Sequence, residues 1–220
     1  PLPKQIFGHG FLLARGEKMS KSLGNVVDPM ELAERFGVDQ LRYFLLREIS
    51  FGQDGSYSAE AIVNRSNSEL ANSFGNLAQR SLSMVFKNLD GVLPEAGDAD
   101  EDRALLAQVD EACVALEREF DRFSFSTGLD AWMGAVFASN AYVDAMAPWA
   151  LKKSDPDRMA AVLGTVVEAV RRLGLVVAPV IPASAGKLVA LIDGGKDGTP
   201  IAQPVPIFPR LELDQDEAAA

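Results

Sequence analysis

Residues 16–29 read GEKMSKSLGNVVDP: two lysines, two serines and two glycines with no face to bury. The run ends in Asp28-Pro29, an N-cap residue followed by proline at a first helical position. The next segment, MELAERFG, stops at Gly37, just past the expected helix end. A loop that hands over to a punctuated helix sets the pattern for the rest of the chain. VDQLRYFLLREI reads as a second short helix, with Asp39 as its cap and Leu41, Phe44 and Leu45 on one side. SFGQDGSYS is a glycine-rich turn, and Ser58 caps a helix that starts at Ala59. Upstream, residues 1–17 mix short apolar runs with glycines and read as strand ends and turns.

Downstream the pattern is helical as far as about Leu191. Apolar positions recur at helical spacing over residues 67–89, 101–120, 126–146 and 156–178, with a shorter run at 183–192. The connections are short, so the expectation is a mainly α protein: a short α/β segment, then an antiparallel helix bundle. VLPEAGDADED is expected as an acidic surface loop. VPIFPRLE is too apolar for a free tail and is expected to dock on the body, while the last residues are expected to fray. No internal repeat is present.

The chain has 220 residues, 48% hydrophobic and 24% charged, which suits a globular protein of one or two domains. A net charge of -10 repels polyanions at long range and argues against non-specific nucleic-acid binding. It leaves room for a site-specific RNA contact at a local edge. With one Cys and one His, neither a disulfide framework nor a Cys/His metal cluster can be built. Cys113 reads as a small buried apolar residue. The N-terminal residues lack a signal-peptide pattern. The most apolar run, LGLVVAPVIPA, is broken by Pro179 and Pro182 and preceded by Arg171 and Arg172. A soluble, cytoplasmic protein is expected. The start at Pro1 rather than Met suggests a fragment or a cleaved product.

Lys18 and Lys21 bracket small serines on long flexible stems, which suits neutralising phosphate oxygens. Gly16 and Gly24 let such a loop move and let backbone amides come close. Positioned cations help most where charge grows on a leaving pyrophosphate. For a generic K-x-x-K run, a solvated surface loop is the better reading. These letters are not generic: KMSKS followed by LGNVVDP resembles the second signature of class I aminoacyl-tRNA synthetases. The resemblance implies that Lys18, Met19, Ser20, Lys21 and Ser22 bind ATP, with Lys18 and Lys21 acting on the pyrophosphate. Lys21 is the first choice for the transition-state contact.

The isoleucyl, valyl, leucyl and cysteinyl enzymes carry close variants of the loop. LRYFLLREISFGQDGSYS narrows the choice, since it resembles the methionyl-tRNA synthetase family. SNSELANSFGNLAQRSLSMV, NAYVDAMAPWALKK and VPIFPRLE resemble further parts of that family. The likeness runs from about His9 to Glu212. It implies that residues 1–58 end a class I catalytic domain and carry the loop. Residues 59–195 would form the anticodon-binding bundle, and residues 196–220 a return segment with an acidic tail. It implies activation of methionine with ATP and Mg2+ as substrate, then transfer to tRNA(Met). The family's first ATP signature, H-I-G-H, is absent: the single His, His9, lies in FGHGF and reads as structural. The methionine pocket and any zinc insertion are absent as well, so the chain alone is not expected to activate an amino acid. No metal site is expected within it.

On the long helix, Leu70, Phe74, Leu77, Met84 and Val85 form a core stripe at 3.6-residue spacing. Asn72, Asn76 and Arg80, spaced by four, lie roughly opposite. By spacing alone they read as ordinary helix-surface polarity. The resemblance puts Asn76 and Arg80 on the family's anticodon contact, with Asn72 beside them. Pro148 is expected to set a turn at a helix end, and Trp149 follows it. The plain reading of Trp149 is a buried anchor; the resemblance makes it a stacking platform for an anticodon base. Lys152 and Lys153 would add local positive charge, and Trp132 reads as core. A different synthetase of the same subgroup and a non-catalytic tRNA-binding bundle are the competing readings. An end at LELDQDEAAA, with no further dimerising module, favours a monomer.

Overall fold

A computed structural model describes residues 2–14 and 16–213. Strand β1 (Leu12–Ala14) lies at the centre of a small sheet, antiparallel to β2 (Glu17–Lys18) and parallel to β3 (Gly55–Tyr57). The glycine-rich run that reads as a turn therefore also contributes a strand. Gly10 has to be glycine for this pairing, because a Cβ there would fall 2.2 Å from the Gln53 carbonyl.

Helix α1 (Pro29–Phe36) starts as its punctuation predicts. The Asp28 carboxylate accepts from the Met30 N–H at 2.8 Å, and Gly37 ends the helix with φ at +93°. Helix α2 (Val38–Glu48) departs from expectation. Asp39 does not cap it; its buried carboxylate accepts instead from Ser184 N–H (2.6 Å) and Ala183 N–H (3.4 Å) at the start of α9 (Pro182–Asp193). Three residues on, Arg42 donates to the carbonyls of Pro179 (2.7 Å) and Val180 (3.1 Å). One face of α2 thus satisfies both the end of one bundle helix and the start of another. Leu41 and Phe44 are buried, but Leu45 is exposed and Tyr43 takes the inward position.

Ser58 caps α3 (Ala59–Arg65) through the Ala61 N–H at 3.1 Å. The helix runs without a break through Ser66–Gly75, whose turns are widened to i→i+5 bonding, into α4 (Asn76–Asn88). Then come α5 (Asp100–Asp121), α6 (Phe125–Met146), α7 (Pro148–Ser154), α8 (Pro156–Val177) and α9. Helix α8 is the hub, packing against α4, α5, α6, α7 and α9. Its Val162, Val166, Val170 and Leu173 are fully buried at spacings of three and four. Trp132 fills the centre of the bundle, donating its indole N–H to the Leu173 carbonyl at 3.0 Å.

The acidic run is not simply a surface loop. Asp102 is fully buried and receives Arg158 in bidentate fashion (Nη2 at 2.9 Å), the Tyr142 hydroxyl and the Ala99 N–H (3.2 Å). Burial raises its proton affinity, but the hydrogen bonds from Arg158 and Tyr142 outweigh that and hold it below the usual carboxylate range. Cys113 is half-buried rather than buried, with burial pushing its thiol up to about 11. The return segment docks as expected: Ile201 and Phe208 are buried, and Asn67 exchanges two hydrogen bonds with the Leu211 backbone (2.8 and 2.9 Å). The fraying expected of the last residues lies outside the described residues. A second, smaller core of Leu32, Phe36, Leu41, Phe44, Ile62 and Val63 sits beneath α1–α3.

Candidate functional site

The lysine loop leaves β2 at Lys18 and is tied by a residue that sequence reasoning passed over. The Asn25 side chain accepts from the Ser20 N–H (2.8 Å) and donates to the Lys18 carbonyl (3.2 Å). Only its place in a glycine-flanked turn hints at this, since Asn side chains bind local backbone readily. The Ser20 and Ser22 hydroxyls are 3.0 Å apart. Lys21–Leu23 makes one 3₁₀ turn, closed by the Gly24 N–H on the Lys21 carbonyl at 3.3 Å. Gly16 (φ +82°) and Gly24 (φ +65°) hold left-handed backbone that other residues adopt at a cost. Lys21 and Ser22 are exposed, and Met19 and Ser20 are half-buried. The Lys18 ammonium rests 5.2 Å from the centre of the Phe11 ring. Beside the loop opens a cavity of about 540 Å³, lined by Glu17, Asn25, Val27, Tyr57 and Ser58 among others. Two exposed cations beside an open cavity can meet a polyphosphate without rearranging any core.

The second cluster is on the bundle. Asn72 and Asn76 are exposed on the widened segment and at the start of α4. They line a depression of about 340 Å³ closed by Gln79, Pro206 and Phe208. Gln79 ties α4 to the return segment, its amide donating to the Pro204 carbonyl (3.0 Å) and the Ser83 hydroxyl (3.3 Å). Arg80 lies one turn beyond Asn76, with its guanidinium 5.9 Å over the Trp149 ring and 3.3 Å from Asp144. Trp149 is 52% exposed, so it is not an anchor of the core. Pro148 does not end a helix but starts α7, after Ala147 in the left-handed region (φ +44°). That bend aims Trp149 out of the bundle, and Lys152 and Lys153 follow it, exposed, on the same short helix.

Behind this edge lies an ionic hub. Glu69 accepts from the Tyr43 hydroxyl (2.5 Å), from Arg65 (2.7 Å) and from Arg47 (3.1 and 3.3 Å). Burial pushes its carboxyl up, and the bonds from Tyr43, Arg65 and Arg47 more than reverse this, leaving it below its ordinary value. Burial, reinforced by the Glu69 charge, drives the Tyr43 hydroxyl well above its own. His9 takes no part in either cluster; its Nδ1 meets the Gly10 carbonyl at 2.8 Å. Among the described residues, no group of three or more His, Cys, Asp or Glu is placed to hold a metal ion. Nor is any helix among them long and apolar enough to cross a membrane.

Comparison with known proteins gives consistent matches. Residues 93–204 match the family described as the anticodon binding domain of methionyl tRNA ligase, and residues 1–82 match tRNA synthetases class I (M). The chain is 50% identical to the methionine–tRNA ligase of Brucella melitensis, over 98% of this chain and 45% of that protein. It is 47% identical to that of Mycobacterium tuberculosis, over 97% of this chain and 45% of that protein. The fold resembles M. tuberculosis methionyl-tRNA synthetase in complex with methionyl-adenylate, with a TM-score of 0.87 at 48% identity over 96% of this chain and 45% of that one. The apo form of the M. tuberculosis enzyme gives 0.85 at 44% identity, over 97% of this chain and 45% of that one. The chain thus spans a little under half the length of these relatives.

Proposed function

The chain belongs to the methionyl-tRNA synthetase family, and on that premise we propose that it supplies two working parts of a methionine–tRNA ligase. One is the phosphate clamp used while methionine and ATP, with Mg2+, form methionyl-adenylate. The other is the surface that reads the anticodon of tRNA(Met). Residues 1–58 carry the clamp, residues 59–195 the reading surface, and residues 196–220 the return segment with its acidic tail, of which Ile201, Phe208 and Leu211 brace the bundle.

The observation that carries this reading is the pairing of Arg80 with an exposed Trp149 on a bent-out helix. An indole open to solvent offers a stacking face for an unpaired base, and the guanidinium beside it can meet a base edge or a phosphate. Asn72 and Asn76 add amides that both donate and accept along the same edge. On a body of net charge -10, counterion release contributes little, so stacking and edge hydrogen bonds supply the selectivity. In the loop, Lys21 meets the phosphates in the transition state. Lys18 supports it, Ser20 and Ser22 offer hydroxyls, and Met19 lies between Lys18 and Ser20 on the ATP-binding run. The same net charge keeps copies apart, and we assign a monomer working in the cytoplasm, where its RNA and nucleotide substrates meet.

Binding of a CAU anticodon stem-loop, measured by fluorescence anisotropy, tests the reading. The protein is expected to discriminate it from stem-loops with one altered anticodon base, about tenfold or more per position, as for loss of one stacked and hydrogen-bonded base. Equal binding of all of them defeats the anticodon assignment.

A further inference from the structure

Glu69 touches neither the lysine loop nor the Arg80–Trp149 pair, yet it draws more polar contacts than any exposed residue of the edge. Its side chain is only 12% exposed. Tyr43 and Arg47 reach it from α2, and Arg65 from the turn before it. Arg47 goes on to Asp130 of α6 at 2.6 Å, and Arg65 goes on to Glu48 of α2 at 3.0 Å. A single carboxylate therefore joins α2, α3 and α6 at the point where the helical turns widen.

Asn76 lies seven positions after Glu69. In an α-helix that is almost two full turns, which would put both side chains on one face. Here Glu69 points into the protein and Asn76 points out. The widened turns reconcile the two. The Asn76 N–H bonds back to the Ala71 carbonyl, and the Ser73 hydroxyl satisfies the Ser68 carbonyl at 2.8 Å, five residues back in each case. Each such turn takes up nearly one residue more than an α turn, and the two faces part. Wide turns are rare because their packing is poor, so something must hold them.

We propose that Glu69 is a positioning residue for anticodon recognition: its ion-pair hub holds Ser66–Gly75 in the wide form and so sets the angle at which Asn72 and Asn76 leave the bundle. This rests on the anticodon reading above. The hub faces α2, whose other residues brace α9, so the angle is set against the whole bundle rather than against one neighbour. Glu69→Gln keeps the shape, loses the charge and presents an amide N–H to two guanidinium groups, which favours relaxation toward tighter turns.

The test uses the full-length synthetase and compares tRNA(Met) charging, ATP–pyrophosphate exchange and stem-loop discrimination. Glu69→Gln is expected to raise KM for tRNA(Met) about tenfold and to lower discrimination to a similar degree, within the range of indirect coupling effects. Exchange should stay within about twofold, and Glu69→Asp, which keeps the charge, should recover part of the loss. Unchanged discrimination in a folded Glu69→Gln protein, or equal loss in charging and exchange, overturns the proposal. Should Glu69→Gln fail to fold, Tyr43→Phe removes one hydrogen bond without changing shape. About threefold lower discrimination supports the hub, and no change overturns it. Trp149→Ala runs alongside as the control: its loss of discrimination with none in Glu69→Gln defeats the hub alone. Full discrimination in Trp149→Ala defeats the anticodon reading itself.

Discussion

The lysine loop and the Trp149 edge both offer cations and polar groups to solvent, but they stand on different foundations. The loop is held by short local contacts, among them the two hydrogen bonds of Asn25, the Ser20–Ser22 hydroxyl pair and one short turn. The edge stands on helices whose opposite faces are buried around Trp132 and α8. The difference follows what each is proposed to meet. A polyphosphate changes charge and shape as it reacts, so reach and mobility serve the cations that follow it. A base edge is a fixed pattern of donors and acceptors, so angle matters more than reach.

The contrast breaks most visibly in stability. Arg158→Ala would strand the Asp102 carboxylate in the bundle with only Tyr142 and one N–H, and should cost about 3–5 kcal/mol in denaturant unfolding. Asp102 and Glu69 both sit below their ordinary values when folded. Their contribution is therefore complete above the unfolded carboxylate range near about pH 4, and is lost as pH falls through the lower folded values. Acid unfolding of Arg158→Ala should begin at higher pH than in the parent. An unchanged acid limb and an unchanged midpoint would mean that the bundle does not depend on this pair.

Lys21→Ala should have the opposite signature. Methionine-dependent ATP–pyrophosphate exchange in the full-length synthetase falls by about 10²–10³, as for loss of one oriented charge stabiliser. Stability moves by no more than about 0.5 kcal/mol, because the side chain is exposed. An unaltered exchange rate removes the phosphate role. The smallest effect sharpens the other half of the contrast. Trp149→Ala should weaken tRNA binding by about 1–3 kcal/mol and leave adenylate formation alone. Matching losses in both assays would point to general damage instead.

Local signals survived folding well. Asp28, Pro29, Gly37 and Ser58 act where their sequence positions put them, because caps and left-handed ends involve only residues a few places away. Asp39 reads just as clearly as a cap but serves α9, since nothing in its own neighbourhood says which helix start will lie nearest. Asp102 looks like one more charge in an acidic run, and only the fold brings Arg158, 56 residues on, to meet it. Spacing by four placed Asn72, Asn76 and Arg80 on one polar edge, which holds for ordinary and widened turns alike and so concealed the widening. The two tryptophans differ because of one backbone torsion: Ala147 turns the chain before Trp149, whereas Trp132 lies inside an unbroken helix.

On the proposed anticodon reading, that torsion would also govern how fast a stacked base leaves. Ala147 is fixed in the left-handed region and Pro148 has its φ locked by the ring, so the backbone under Trp149 has almost no freedom left to surrender. Only the two torsions of the indole itself are ordered when a base stacks on it, a small entropic penalty for so large a contact. The ordering was settled when the protein folded. A stacked base should therefore be released slowly once engaged, and residence time rather than encounter rate should be the quantity that changes at Trp149.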